Sequence, residues 1–168
     1  HLIGTGGDFG EVPARLFPIF RDRDELAGAA QLGPLIEQAL DDSSHLIVLC
    51  SPQAVRSRWV NEEIRMFKSM GKADRVLCLV LSGNPMVEDL DGDTDNECIP
   101  LAARREVDAE GVITDQKHEP AAADLRESSD GEKDAFLKIV AGLLGLGLDD
   151  LKQRDLLARQ KRLARIAS

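Results

Sequence analysis

Two uninterrupted apolar runs constrain the fold of this 168-residue chain more than any other feature. They are "HLIVLCS" at residues 45–51 and "RVLCLVLSG" at residues 75–83. Neither run alternates apolar with polar residues, which is typical of parallel strands covered on both faces. The stretch between them, residues 51–71, supplies apolar material for a helix and ends at a glycine, a common helix stop. The pattern predicts a strand–helix–strand unit with parallel strands.

The same alternation of strand and helix extends on both sides of this unit. Upstream, "ARLFPIF" at residues 14–20 predicts a short strand, and "GPLIEQALDDSS" has apolar residues at helical spacing. Downstream, "EGVITD" and "PAAADLR" carry weak strand signals in an otherwise irregular stretch. An amphipathic helix is predicted over residues 132–144, where glycines at 145 and 147 then interrupt it. We therefore expect an α/β fold with helices on both faces of a parallel sheet.

Charge and cysteine content exclude several classes of protein. The net charge of −9 argues against general nucleic-acid binding, which needs a cationic surface. We expect no signal peptide, and the sequence has no apolar run of the roughly 18 residues that a membrane span needs. Three cysteines without metal-type spacing suit a reducing, cytoplasmic setting. We expect no metal, no membrane and no direct nucleic-acid partner.

The last residues differ from the rest of the chain in charge. Residues 150–168 contain six basic and two acidic residues, a net charge of +4. We interpret residues 148–168 as a basic helical linker that leads from a domain at residues 1–147 towards a fused sensor or effector domain. Because the chain starts at His1 without an initiator methionine, we also expect it to be an excerpt of a longer protein.

The helical stretch after the first apolar run holds the only tryptophan, Trp59, and two adjacent glutamates, Glu62 and Glu63. Trp59 and Glu63 are four residues apart and therefore share one face of a helix. An aromatic ring beside a carboxylate suits a cationic or polyhydroxylated ligand. Residue types alone favour an ordinary surface glutamate, so docking and chemistry both stay open at this point.

Three motifs between residues 16 and 85 resemble those of the bacterial TIR (Toll/interleukin-1 receptor-like) domain family. They are "IFRDRDEL", "LIVLCSP" and "SRWVNEEI", in the family's order and with suitable gaps. The resemblance implies the TIR fold, a flavodoxin-like parallel sheet of strand order 2-1-3-4-5 with flanking helices. The family's first strand and first helix are missing before His1, and with them a loop that contributes to the family's ligand pocket. This family domain is therefore expected to be incomplete at its N-terminus.

The resemblance also implies an activity and a set of site residues. Many TIR domains hydrolyse NAD⁺ at the nicotinamide–ribose bond, using one glutamate in a W-x-x-x-E setting. That pattern assigns the catalytic role to Glu63, with NAD⁺ as substrate and no further cofactor. The implied NAD-binding residues are Phe20, Arg21, Asp22, Ser51 and Trp59. Arg21 and Asp22 begin what resembles the family's BB loop, and Ser51 is equally suited to capping the next helix.

Three functions are compatible with this resemblance. The first is an NAD⁺ glycohydrolase (an NAD⁺ nucleosidase) that is activated by self-assembly in bacterial defence or signalling. The second is a non-enzymatic adaptor, which binds other TIR domains through "RDRDELAGAAQL" and its helix faces. The third is a cyclase that makes a cyclic ADP-ribose-type signal. The expected partners are NAD⁺ and other TIR domains, with a homo-oligomer formed on activation.

Overall fold

The computed structural model describes residues 32–85, 94–154 and 156–157. The strand predicted at residues 14–20 and the candidate site residues Phe20, Arg21 and Asp22 lie outside these residues. The helices and strands are α1 (Leu32–Asp42), β1 (Leu46–Cys50), α2 (Pro52–Arg56), α3 (Arg58–Phe67), β2 (Val76–Val80), α4 (Leu101–Arg104), β3 (Arg105–Val107), β4 (Ile113–Lys117), β5 (Ala121–Asp124) and α5 (Gly131–Leu144).

Three strands form a parallel sheet in the order β1-β2-β5, with β2 in the centre. Leu49 of β1 lies opposite Leu79 of β2, and Leu79 lies opposite Ala123 of β5. The parallel pairing confirms the α/β prediction and agrees with a flavodoxin-like TIR fold. The two weak strand signals are confirmed as β4 and β5. The sequence did not predict that β4 pairs with β3 in a separate antiparallel hairpin.

One face of the sheet carries the main hydrophobic core. Val48 and Cys50 of β1 and Cys78 of β2 pack there with Ile64 and Phe67 of α3. The thiols of Cys50, Cys78 and Cys98 are free and fully buried, so they act as small apolar groups in this core.

The opposite face is only partly covered within the described residues. Helix α5 packs against β5 and β2, as predicted for a helix over residues 132–144. Ile47 and Leu49, on the same face of β1, remain 42% and 56% exposed. The prediction that the first apolar run is covered on both faces is therefore wrong for β1 in the described structure. The physical reason is that α5 packs mainly against β5 and β2.

The stretch after β1 contains two helices where the sequence predicted one. Ser57 separates them, because its backbone is extended and its side chain accepts a hydrogen bond from Val60 N at 3.3 Å. It is therefore the N-cap of α3. A π-helical turn, Lys68–Lys72, continues from α3, and Gly71 adopts a positive φ of 74° there. The predicted stop at Gly71 is where the helical backbone is interrupted.

The segment after α5 is helical over residues 148–154, where the sequence predicts its basic helix. Lys152 ties it to α5 by donating to Asp134 Oδ2 at 2.7 Å. In the described residues, no helix has both the length and the apolar character needed to cross a bilayer. Residues 158–168 of the predicted linker lie outside the description.

Candidate active site

Helix α3 carries the two residues that the sequence singled out most strongly. Trp59 lies in its first turn and is 71% exposed, whereas Glu63, one turn later, is partly buried. The helix is continuous from Arg58 to Phe67, so the two side chains project from the same face, as predicted. The aromatic ring and the carboxylate therefore lie one helical turn apart on the same side of α3.

The carboxylate of Glu62, the neighbour of Glu63, is held by Arg65. Arg65 donates from Nε to Glu62 Oε2 at 2.8 Å and from Nη2 to Glu62 Oε1 at 2.5 Å. The side-chain hydrogen bond from Arg65 lowers the pKa of Glu62, and the same bond raises the pKa of Arg65. A carboxylate paired on both oxygens with a guanidinium is poorly suited to contact a substrate. Both oxygens of the Glu62 carboxylate are thus engaged within α3.

The carboxyl ends of the strands converge, as expected for a parallel sheet. Ser51 follows β1, Gly83 follows β2, and a Cβ added to Gly83 would lie 3.0 Å from Pro52 Cδ. Ser51 Oγ accepts a hydrogen bond from Ala54 N at 3.2 Å, so Ser51 is the N-cap of α2. Of the two roles open for Ser51, the structure shows the capping role.

A charged pair that the sequence analysis missed lies at the same edge. Asp124, at the end of β5, accepts from Arg126 Nε and Nη2, and Arg126 Nη1 donates to Gly83 O at 2.5 Å. The side-chain hydrogen bond from Arg126 lowers the pKa of Asp124. This pair joins the ends of β2 and β5, and only the i, i+2 spacing of an acid and a base hinted at it.

A separate cavity of about 560 Å³ lies against α5, away from α3. Its lining is mainly apolar: Leu79, Leu125, Glu132, Lys133, Phe136 and Ile139. Among the described residues of the candidate site, Trp59, Glu63 and Ser51 do not line it.

Other reactive groups in the described structure do not form a site. In residues 32–85, 94–154 and 156–157, no group of three His, Cys, Asp or Glu side chains could hold a metal ion. Burial raises the pKa of the Cys98 thiol to about 11, so this cysteine is protonated at neutral pH.

Two comparisons with known proteins give matches to this chain. The family profile described as "Thoeris protein ThsB, TIR-like domain" matches residues 14–85. A curated protein named NAD(+) hydrolase ApTIR, from Actinoplanes sp., is 32% identical over 152 residues. The chain belongs to the bacterial TIR domain family. No solved structure matches it significantly.

The match to the Actinoplanes protein covers 89% of this TIR chain but only 21% of that relative. The chain therefore spans about a fifth of the curated protein that it matches. The similarity includes both the family-profile region and most of the residues C-terminal to it. The similarity supports common ancestry across most of the described sheet and helices.

Proposed function

We propose that this TIR domain is an NAD⁺ glycohydrolase that cleaves the nicotinamide–ribose bond, with Glu63 as its catalytic carboxylate. The observation that carries the proposal is the W-x-x-x-E pair, Trp59 and Glu63, on one face of a helix in a TIR domain. The relative named NAD(+) hydrolase supports the same activity.

The chemistry requires little from the protein beyond electrostatic stabilisation. Nicotinamide in NAD⁺ is already cationic, so it leaves as a neutral molecule without protonation. The ribose then develops oxocarbenium character, as in glycoside cleavage. A carboxylate held beside the ribose accepts hydrogen bonds from its hydroxyls and stabilises the growing positive charge. Glu63 would perform this role, while Trp59 provides an aromatic wall for the substrate.

The remaining site residues and partners belong to the same proposal. Phe20, Arg21 and Asp22 would contact NAD⁺ from the segment before α1, and Ser51 would approach it from the end of β1. Self-assembly with other TIR domains would activate the enzyme in bacterial defence or signalling. The basic segment 148–168 would connect the TIR domain of residues 1–147 to a further domain.

The test is nicotinamide release from NAD⁺, measured by chromatography on the assembled protein. Glu63→Gln keeps the size of the side chain but removes its charge, so it should abolish release. Glu37→Gln, at an exposed glutamate of α1, is the matched control and should leave the rate unchanged. Equal rates for the wild type and Glu63→Gln would exclude the assignment. Mass spectrometry of the ribosyl product separates hydrolysis from cyclisation.

An adaptor role is the second candidate, because the 71% exposure of Trp59 leaves a large aromatic surface open to contact. If the protein only associates, Trp59→Ala should weaken self-association in analytical ultracentrifugation. Glu63→Gln would then leave association and biological output intact.

A further inference from the structure

Helix α3 and the π-helical turn that continues it are bound by three polar side chains to the segment that contains α4 and the β3–β4 hairpin. Asn61 Oδ1 accepts from Ala102 N at 3.1 Å. Arg65 Nη1 donates to Gly111 O at 2.7 Å, and Lys68 Nζ donates to Arg105 O at 2.7 Å. Each contact joins parts of the chain that are 37 to 46 residues apart. These three side chains are called the polar anchor below.

The polar anchor lies on the side of α3 that faces away from the candidate catalytic pair. At 100° per residue, Asn61, Arg65 and Lys68 fall within an arc of about 60°. Trp59 and Glu63 lie about 160° and 200° from Asn61 around the same helix axis. The segment of α4 and the hairpin therefore binds the side of α3 that is opposite to Trp59 and Glu63.

Lys68 shows how firmly this side of the helix is fixed. It is only 3% exposed, and its ammonium group also donates to the carbonyl oxygens of Ala102 and Ala103, at 3.1 and 3.4 Å. Burial lowers the pKa of Lys68, because desolvation disfavours the charged ammonium group. The hydrogen bonds to the carbonyl oxygens offset part of this cost. A displaced helix would lose these bonds together.

Arg65 is oriented by Glu62 at one end and by the hairpin at the other. The carboxylate of Glu62 binds Nε and Nη2, which leaves Nη1 directed at Gly111 O. Gly111 has a φ of +77°, and a Cβ there would collide with Arg65 Nη1. A glycine at this position thus allows both the turn and the close approach of the guanidinium.

We infer that Glu62 and Arg65 are positioning residues, which act through the Gly111 turn to fix the orientation of α3 and hence the location of Glu63. Apolar contacts by Ile64 and Phe67 hold α3 against the sheet, but such contacts are non-directional. Hydrogen bonds are directional and so restrain rotation of the helix about its axis. The catalytic consequence rests on the proposed function, whereas the anchor is a property of the fold.

The sharpest test places a methyl group at the hairpin turn, outside α3. Gly111→Ala should displace Arg65, whereas Gly131→Ala is a matched control: its φ is +73°, and nothing lies within 4 Å of its added Cβ. We expect Gly111→Ala to lower kcat by about 10- to 100-fold with little change in KM, as misplacement of a reacting group does. Gly131→Ala should retain the wild-type kcat. Rates are normalised to the folded fraction, so a purely structural effect on stability would leave kcat unchanged.

Trp59 offers a second readout that does not depend on NAD⁺ turnover. It is the only tryptophan and lies on α3, so its emission and its quenching by acrylamide report on the helix itself. Gly111→Ala and Arg65→Met should change both signals, and Gly131→Ala should change neither. Arg65→Lys keeps the charge but can bond only one partner at a time, so it should restore part of the activity that Arg65→Met loses.

The outcomes separate this inference from the proposed function. If Gly111→Ala and Arg65→Met both fold and keep the wild-type kcat and Trp59 quenching, the positioning role is wrong even when Glu63→Gln is inactive. If the wild type releases no nicotinamide, the glycohydrolase proposal fails. Changes in Trp59 quenching in the two variants would then still support the anchor, and unchanged quenching would overturn it.

Discussion

Gly142 of α5 lies against Leu77 of β2, so closely that a Cβ added to Gly142 would come within 2.8 Å of Leu77 Cδ2. At this contact, helix α5 meets β2, the central strand of the sheet. The absence of a side chain at Gly142 lets helix and sheet approach. Stability at this interface therefore depends on close packing rather than on helix propensity.

Gly142→Ala should consequently destabilise the protein, although alanine is the better helix former. Overpacking of this kind lowers the free energy of unfolding by about 1–3 kcal/mol. Urea denaturation monitored by circular dichroism measures the change. Gly33→Ala is the control, since Gly33 lies in α1 with nothing within 4 Å of an added Cβ. Since Gly33 precedes Pro34, whose ring crowds a Cβ on the preceding helical residue, this control should not gain stability, but it should lose less than Gly142→Ala does. A stabilising Gly142→Ala would contradict the packing argument.

Substitution of Ser51 separates its two assigned roles. Ser51→Ala removes the N-cap of α2 and should lower the free energy of unfolding by about 1 kcal/mol. Ser51→Asn keeps a capping oxygen and should recover most of that loss. The KM for NAD⁺ then tests the other role: an elevated KM in the stable Ser51→Asn variant indicates substrate contact, whereas a wild-type KM indicates capping alone.

Removing the ammonium group of Lys68 should destabilise the fold. Lys68→Met leaves buried carbonyl oxygens at residues 102, 103 and 105 without this donor, which costs about 1–3 kcal/mol. Lys72→Met is a matched control, because Lys72 also donates to three carbonyl oxygens, at residues 40, 41 and 43. Lys72 is less buried, so water can replace its donor, and the loss should be smaller in thermal and urea unfolding. Equal losses of stability in Lys68→Met and Lys72→Met would show that the burial of the lysine does not determine the loss.

The Asp124–Arg126 pair should make stability depend on pH in the acidic range. Because Arg126 lowers the pKa of Asp124 below its ordinary 3.8, the folded state favours the ionised carboxylate. Its contribution is fully present well above pH 3.8 and is lost as the pH falls through the lower folded-state pKa. The advantage of the wild type over Asp124→Asn should therefore be constant between pH 7 and 5 and shrink below about pH 4.

Thermal unfolding of both proteins across this range measures the effect of Asp124. The control repeats the comparison in an Arg126→Met background, where the largest cause of the lowered pKa is absent but the backbone N–H of residue 126 still donates to Asp124. The dependence of the difference on pH should become weaker there. An undiminished dependence would show that the guanidinium of Arg126 is not the main cause.

The sequence determined the features that depend on local patterns. Apolar runs without alternation predicted β1 and β2 as parallel strands, and four-residue spacing placed Trp59 and Glu63 on one helix face. Both follow from the fixed geometry of strands and helices, so short segments are sufficient. The TIR family motifs added the proposed chemistry of Glu63.

Only the tertiary structure decided how α3 is held and that Arg65 binds the carboxylate of Glu62. The spacing of Glu62 and Arg65 is visible in the sequence, but the acceptor at Gly111 is 46 residues away from Arg65. Likewise, the run containing Ile47 and Leu49 was predicted to be fully buried, yet both side chains are exposed in the described structure. Such contacts depend on which distant segments meet after folding, and local periodicity carries no information about that.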